Sequence, residues 1–205
     1  MNKILNGAIT ESVRNPGRIA MQYSHPRVTD SFRTLSPAGY QALPPAFQRR
    51  PGRDLRLRTS TDTKTGQVHA RIVKIGLADL HIFNPAGDYD CRISINLEVN
   101  LDRPDLHPED LIEPPTGEKL APPDRKKDRL SYRHLDTYSI DLTRVDVLHL
   151  ASKYELELEV ESGVLRRQME LMQRGEPHAF GDVVGGFLDN ATFLMRCQAS
   201  KQQQG

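Results

Sequence analysis

Three glutamates alternate with apolar residues between positions 153 and 161, where the chain reads Lys-Tyr-Glu-Leu-Glu-Leu-Glu-Val-Glu. Alternate side chains of a β-strand share one face, so Glu155, Glu157 and Glu159 would line one side of a sheet. Neighbouring carboxylates in such a row lie roughly 7 Å apart and, at an effective dielectric constant of about 20, repel each other by about 2 kcal/mol. The row therefore predicts a cationic counterpart, either basic side chains or a hard metal ion held by oxygen ligands.

Polar rows also occur on other candidate strands, and their signs differ from strand to strand. They are Arg92, Ser94, Asn96 and Glu98; Lys127, Arg129, Ser131 and Arg133; and Ser139, Asp141 and Thr143. Any single row fits a plain antiparallel sheet with a solvated face, and that interpretation stays open. The segregation of signs favours a closed barrel with these faces inward. Such an interior indicates phosphate chemistry, because Arg and Lys clamp phosphate oxygens while a metal ion neutralises developing charge.

Strand patterns dominate the middle of the chain. They cover residues 54–61, 68–75, 77–83, 91–100, 127–133, 137–143 and 153–161. Helices are predicted at 164–173, where Gly175 and Pro177 end the pattern, and at 180–195, where an apolar stripe should pack against the sheet. Successive strands with hairpin-like links, and helices gathered at one end, indicate an α+β protein built on an antiparallel β-barrel with helices outside.

The predicted barrel domain spans residues 53–200. Before it, residues 1–52 form a poorly defined segment with one short helix candidate at Ser36-Pro37. Six prolines make residues 102–124 a long loop or a disordered insertion within the barrel domain. Residues 201–205 should fray.

The composition is that of a soluble intracellular protein. The 205 residues carry a net charge of +1, so any electrostatic specificity must be local. Two cysteines without metal-ligand spacing make a reducing compartment the simple expectation. No apolar run approaches membrane-spanning length and the start lacks the apolar core of a signal peptide, so we expect no membrane association.

Four segments carry a resemblance to a known family. They read DCRISINLE at 90–98, RKKDRLSY at 125–132, DLT at 141–143 and ELELEV at 155–160. In that order they resemble the fungal-type RNA 5′-triphosphatase, the beta subunit of the mRNA capping enzyme within the triphosphate tunnel metalloenzymes. The resemblance implies an eight-stranded antiparallel tunnel, a Mg²⁺ or Mn²⁺ ion, and removal of the γ-phosphate from triphosphate-ended RNA. It also implies a nuclear location and a guanylyltransferase subunit as partner.

The resemblance assigns roles to particular residues. Glu157 and Glu159 would face the metal, and Glu155 would complete the acidic row. The triphosphate would be held by basic residues, namely Lys127 and Arg129, with Arg58, Lys74 and Arg92 at earlier positions of the tunnel. Glu98 would orient the attacking water, and Asp141 with Thr143 would position the basic side chains.

One departure from the family pattern concerns the metal. The family also has a Glu-x-Glu on an early strand, whereas Glu11 is the only glutamate among residues 1–52. Either the chain is truncated at its amino terminus, or its site has lost half of its metal ligands. A missing strand would leave an open barrel edge, which would favour association, so a homodimer is one alternative.

The sequence leaves three functions open. The first is a metal-dependent RNA 5′-triphosphatase, acting in the first step of mRNA capping. The second is a catalytically impaired tunnel that binds polyphosphate or a capping partner without turnover, which the absent Glu-x-Glu favours. The third is a different tunnel activity, such as hydrolysis of inorganic triphosphate or thiamine triphosphate.

Overall fold

Eight β-strands and five α-helices occupy the described part of the chain in a computed structural model, which covers residues 1–15, 21–48, 55–85, 89–114 and 122–199, with side chains to residue 196. The helices are α1 (Asn2–Arg14), α2 (Pro37–Gln41), α3 (Pro45–Gln48), α4 (Ser162–Gln173) and α5 (Phe180–Ala199). The strands are β1 (Met21–Ser24), β2 (Arg27–Thr34), β3 (Arg56–Asp62), β4 (Val68–Ile82), β5 (Cys91–Asn100), β6 (Arg125–His134), β7 (Tyr138–Val147) and β8 (Lys153–Val160).

All of the strands join one antiparallel sheet. Its order is β5-β4-β3-β2-β6-β7-β8, and β1 pairs with the part of β6 that β2 leaves free. The sheet is curled into a half-barrel, and within the described residues neither β5 nor β8 has a partner on its outer edge. The predicted α+β fold, an antiparallel barrel with outer helices, is therefore confirmed, in the incomplete form that a missing strand would leave.

Apolar side chains of the sheet point to its convex face, where they form two cores. One core packs β3, β4 and the segment around residues 101–112 against α2 and α3, and its buried members include Leu57, Val73 and Phe47. The other core packs β6 and β7 against α1 and α5 through Tyr132, Ile140, Leu5 and Leu194. Because the apolar side chains take the convex face, their charged neighbours in the alternating sequence face the concavity.

Helix α1 is tied to the sheet by a buried tyrosine. Tyr132 is fully buried, and its hydroxyl donates towards the Oδ1 atoms of Asn2 (2.7 Å) and Asn6 (2.9 Å). These asparagines are one helical turn apart and so share a face of α1. The hydrogen bonds satisfy the one polar atom that this side chain brings into the core.

Several predicted elements are confirmed, and others need correction. Helices α4 and α5 and the helix at Ser36-Pro37 are present, and the Ser36 side chain caps α2 by accepting from the Gly39 amide. The predicted strands 68–75 and 77–83 are instead one strand, because a bulge after Gly76 shifts the register without ending the pairing. The apolar stripe of α5 packs only in part, since Leu194 is buried while Val184 and Leu188 remain exposed.

Residues 1–52 contribute more structure than the sequence predicted. Helix α1, β1 and β2 all lie there, and β2 sits in the middle of the sheet between β3 and β6. Of the predicted 102–124 loop, residues 102–114 form turns, and Leu111 is buried in the first core. Residues 115–121 and the tail 201–205 lie outside the described residues, and no described helix is long and apolar enough to cross a membrane.

Candidate functional site

The charged rows of β6, β7 and β8 lie side by side on the concave face. The antiparallel register places Arg129 opposite Thr143 and Thr143 opposite Glu155. The next rung pairs Ser131 with Asp141 and Asp141 with Glu157, and Ser139 then pairs with Glu159. Directly opposed residues share a face, so the acidic row of β8 borders the hydroxyl and carboxylate row of β7 and then the basic row of β6.

Arg129 is held between two carboxylates. Its guanidinium lies 2.8 Å from the buried Asp141 carboxylate and 3.6 Å from Glu157. Asp141 also accepts a hydrogen bond of 2.6 Å from the Ser131 hydroxyl. The two carboxylate contacts fix the direction of the guanidinium, and Ser131 in turn holds Asp141, which leaves part of the donor fork of Arg129 facing the concavity.

A second anchored cation lies on the adjoining strands. The Lys127 ammonium group is 2.9 Å from Asp30 of β2, and Asp30 accepts a 2.6 Å hydrogen bond from Ser60 of β3. Only 2% of Asp30 is exposed. Burial alone would raise the pKa of Asp30, but the hydrogen bonds from Ser60 and Lys127 and the charge of Arg58 outweigh burial and lower it. Asp30 is therefore an ionised carboxylate that orients a cation.

Lys74 and Glu98 form a third pair, on β4 and β5. They are opposed in the register, and their charged groups lie 3.1 Å apart. Arg92 lies further along β5, opposite His81, and is exposed. Glu98 and Arg92 belong to the same alternating row of β5, so Arg92 shares the concave face with the Lys74–Glu98 pair.

The sheet curls far enough for its two halves to face each other. Lys74 on β4 lowers the pKa of Glu159 on β8 through its charge, although five strand steps separate the two strands. Five steps in a flat sheet would span about 24 Å, far beyond the reach of a screened charge interaction. The curl therefore brings the cation and the carboxylate together across the concavity.

The pKa of Glu159, at the end of the acidic row, is raised above its ordinary value. Although part of its side chain meets solvent, the curled sheet surrounds it with protein atoms, and this loss of hydration raises the pKa of Glu159. The charges of Glu157 and Asp141 raise the pKa further, while Arg129 and Lys74 oppose the rise. A group in this position binds a proton or another cation more readily than an isolated glutamate does.

The donor set suits a weakly held, hydrated divalent ion. Glu157 and Glu159 are adjacent members of one strand row, whereas Asp141 is already engaged by Arg129 and Ser131. Among the described residues, no three His, Cys, Asp or Glu side chains come together as a metal cluster. Two carboxylates fit Mg²⁺ or Mn²⁺ because such ions commonly keep several waters and complete their shell with substrate phosphates.

Two buried polar atoms on the concave face have no hydrogen-bond partner within the described chain. They are the Nε of Arg58 and the Oγ1 of Thr143. Buried polar atoms are nearly always paired in native proteins, so an orphaned donor in a charged concavity indicates a place for a ligand. The Thr143 hydroxyl makes no hydrogen bond within the described chain, so of the two predicted positioning residues only Asp141 contacts Arg129.

All eleven predicted site residues occupy the concave face, although the contacts do not test their roles. They are Arg58, Lys74, Arg92, Glu98, Lys127, Arg129, Asp141, Thr143, Glu155, Glu157 and Glu159. Asp30, Ser60 and Ser131 hold these residues in place; the sequence reasoning missed Asp30 and Ser60 as site residues, and it put Ser131 in a polar row without assigning it a role. A hint was present in residues 27–34, where Asp30 interrupts an apolar row between Val28 and Phe32.

A curled antiparallel half-barrel with paired cations and carboxylates on its concave face defines the class of triphosphate tunnel folds. The chain belongs to the family described as mRNA capping enzyme, beta chain, whose family model matches residues 1–200. It is similar to mRNA-capping enzyme subunit beta of Schizosaccharomyces pombe, with 27% identity over 201 residues that cover 96% of this chain and 57% of the relative. The corresponding subunit of Cryptococcus neoformans is 30% identical over 207 residues, which cover 96% of this chain and 43% of the relative.

A solved structure gives the same comparison at the level of the fold. The structure of S. pombe Pct1 RNA triphosphatase in complex with the Spt5 CTD matches with a TM-score of 0.70 and 28% identity, covering 95% of this chain and 66% of that chain. The chain spans between 23% and 57% of the length of the curated relatives that it matches.

Proposed function

We propose that this chain is an RNA 5′-triphosphatase that releases the γ-phosphate of triphosphate-ended RNA, the first step of mRNA capping. The observation that carries the proposal is the convergence of Arg58, Lys74, Lys127 and Arg129 on one concave face, three of them aimed by carboxylates. Family membership supports the same reaction, because relatives are named mRNA-capping enzyme subunit beta and RNA triphosphatase.

The basic residues would bind and orient the phosphate chain. Arg129 presents a planar donor fork that matches two phosphate oxygens, and Lys127 offers a point charge beside it. Arg58 contributes a buried Nε without a partner in the described chain, which a phosphate oxygen would satisfy. Because Asp30 and Asp141 fix Lys127 and Arg129 before substrate arrives, little reorganisation is needed when charge develops on the γ-phosphate.

Two carboxylates carry the remaining roles. Glu98, held beside Lys74, would orient a water for in-line attack on phosphorus. Glu157 and Glu159 would hold Mg²⁺ or Mn²⁺, with Glu155 extending the acidic row. When bound, such an ion neutralises charge on the phosphate oxygens. The raised pKa of Glu159 supports this role, since a cation there would relieve the repulsion from Glu157.

Phosphate release from 5′-triphosphate RNA tests the proposal. We expect Lys127→Ala and Arg129→Ala to lower kcat/KM at least 100-fold, in line with the loss of a preorganised electrostatic contact. Lys126→Ala is the matched control, because Lys126 is the adjacent residue on the same strand but points to the convex face. Equal activity of the Lys127 and Lys126 variants would contradict the proposal.

A second candidate function is binding without turnover. It is favoured by the finding that the described residues bring no three metal-ligating side chains together. Calorimetric titration with tripolyphosphate separates the two functions. Binding that is independent of Mg²⁺ and Mn²⁺, together with no phosphate release, would favour the binding module. Metal-dependent release that Glu159→Ala abolishes would favour the enzyme.

The assembly and location of the protein are further parts of the proposal. A capping role supports a guanylyltransferase subunit as partner and a nuclear location, because the matched relatives are named as subunits of the capping enzyme. The outer edges of β5 and β8, which have no partner strand within the described part of the chain, support the homodimer alternative. Co-purification with a guanylyltransferase and sedimentation of the isolated chain test these two statements separately.

A further inference from the structure

We infer that one rim of the concave face is an entry site for single-stranded RNA, binding the nucleotides that follow the 5′-triphosphate. The inference rests on the proposed function and locates the surface that would hold the RNA chain beyond its triphosphate. It is drawn from four cations and one aromatic side chain at the same end of the sheet.

The cations occupy equivalent places on four strands. In an all-antiparallel sheet every second strand runs in the same direction, so β5, β3, β6 and β8 all begin at one end of the sheet. Each has a cation within its first two residues, on the row that faces the concavity. These four residues, which we call the basic rim, are Arg56, Arg92, Arg125 and Lys153.

The opposite end of the sheet is not basic. The last concave positions of β5, β6 and β8 are Asn100, Arg133 and Glu159, whose charges cancel. Arg133 also has a carboxylate partner, Glu161, at 3.6 Å. The charge difference between the two ends gives the concavity a direction, and a polyanion would approach from the basic rim.

The basic rim also differs from the cations deeper in the concavity. Lys74, Lys127 and Arg129 are each paired with a carboxylate. Each of the four rim cations is exposed, and none forms an ion pair with another described residue. Their charge is therefore free to act on an external anion, and a run of phosphodiesters supplies one charge per nucleotide.

An aromatic ring completes the rim. Phe32 lies near the end of β2 on the concave face, opposite Arg58, and the guanidinium of Arg125 lies 5.0 Å from the centre of its ring. Phe32 is only partly buried. An aromatic face beside a guanidinium plane is the surface on which unpaired bases stack, and it accepts any base. A nucleotide chain uses both the charges and the ring, whereas an acidic peptide uses only the charges.

Length-dependent binding tests the inference. The affinities of tripolyphosphate and of 5′-triphosphate oligouridylates of one, three and six nucleotides are measured by fluorescence competition. EDTA is present to prevent hydrolysis. We expect the affinity of the unaltered chain to rise about tenfold or more between one and three nucleotides, as stacking of one base would give. Phe32→Leu should remove most of this rise. Combined Arg56→Gln, Arg125→Gln and Lys153→Gln should also reduce the slope of log affinity against log salt by about 2.

Two matched controls lie on the same strand as Arg125. Arg133→Gln removes a concave cation from the opposite end of β6, and Lys126→Gln removes one from the convex face. Both should keep the length dependence of the unaltered chain. Loss of the length dependence in Arg133→Gln, with retention in the rim variant, would overturn the assignment. So would an oligoglutamate that displaces the hexanucleotide as well as unlabelled RNA does.

The design separates this inference from the proposed function. A chain that binds tripolyphosphate but gains nothing from added nucleotides overturns the RNA-entry site and leaves the proposed function standing. A chain that binds no tripolyphosphate contradicts the proposed function. In that case, 5′-hydroxyl oligouridylates still decide the inference, since length-dependent binding that the rim variant loses would support it and its absence would overturn it.

Discussion

Replacing Asp30 with asparagine should destabilise the fold markedly while keeping the shape of the side chain. Asp30 is 2% exposed, its partner Lys127 is 13% exposed at the side chain, and the two charges lie 2.9 Å apart. Removing one member of a buried pair leaves the other charge uncompensated and costs about 3–5 kcal/mol. For a chain of this size, 3 kcal/mol corresponds to a fall in Tm of about 6–12 °C.

Thermal unfolding followed by circular dichroism measures this effect, and Asp128→Asn provides the matched control. Asp128 pairs with His25 at 2.5 Å and with Arg27 at 3.1 Å, but its side chain is 36% exposed and both pairs are solvated, so losing its charge should cost at most about 1 kcal/mol. Removing both charges with Asp30→Asn and Lys127→Met should recover much of the lost stability, because no buried charge is then left alone. A Tm for Asp30→Asn within about 2 °C of the unaltered chain would refute the reasoning.

The pH dependence of this variant gives an independent check. The pKa of Asp30 lies below its ordinary value of 3.8, so the folded state releases this proton more readily than the unfolded state does. Its contribution to stability is therefore present above pH 3.8 and is lost as the pH falls through the lower, folded-state pKa. The difference in Tm between the unaltered chain and Asp30→Asn should be full at pH 5–7 and should shrink as the pH falls below 3.8.

Three further predictions concern neighbouring features. Glu159→Gln should raise Tm at pH 7 and lose this advantage below pH 4.5, and a scan of Tm against pH measures this. The pKa of Glu159 is raised in the folded state, so the ionised carboxylate lowers the free energy of unfolding only above its ordinary pKa of 4.5. Thr143→Val should stabilise the chain by about 1 kcal/mol in urea unfolding, because it removes a buried hydroxyl that has no partner in the described chain. Gly186→Ala should lower the free energy of unfolding by about 1–3 kcal/mol, since its Cβ would lie 2.4 Å from the Tyr138 hydroxyl. Gly185→Ala is the control and should be tolerated, because its Cβ would meet nothing within 4 Å. Equal urea midpoints for the two glycine variants would contradict the packing.

The faces of the strands could be read from the sequence because alternation is a local property. Glu155, Glu157 and Glu159 share a row whatever the rest of the chain does, and so do Lys127 and Arg129. The same period assigned the predicted site residues to polar rows, and all of those rows meet on the concave face. The alternation of charged and apolar residues therefore predicted correctly which side chains of these strands share the concave face.

The positions that the sequence missed depend on non-local pairing. Asp30 matters only because β2 inserts between β3 and β6, which are far from it in the chain, and the sequence of residues 27–34 gives no sign of that order. The effect of the Lys74 charge on the pKa of Glu159 depends on the accumulated twist and curl of the whole sheet. The bulge after Gly76 likewise replaced two predicted strands with one, because a register shift leaves the hydrophobic pattern of each half intact.

The outer edge of β8 pairs with no other strand among the described residues, and this has a consequence for handling the protein. Its backbone groups could template a second copy, and the acidic row is what discourages this, since two such strands laid together would bring like charges into register. Acid or millimolar divalent salt would weaken that protection without disturbing the apolar cores. Preparations should therefore stay monodisperse in neutral, chelator-containing buffer and form larger species when the carboxylates are neutralised, which light scattering would show directly.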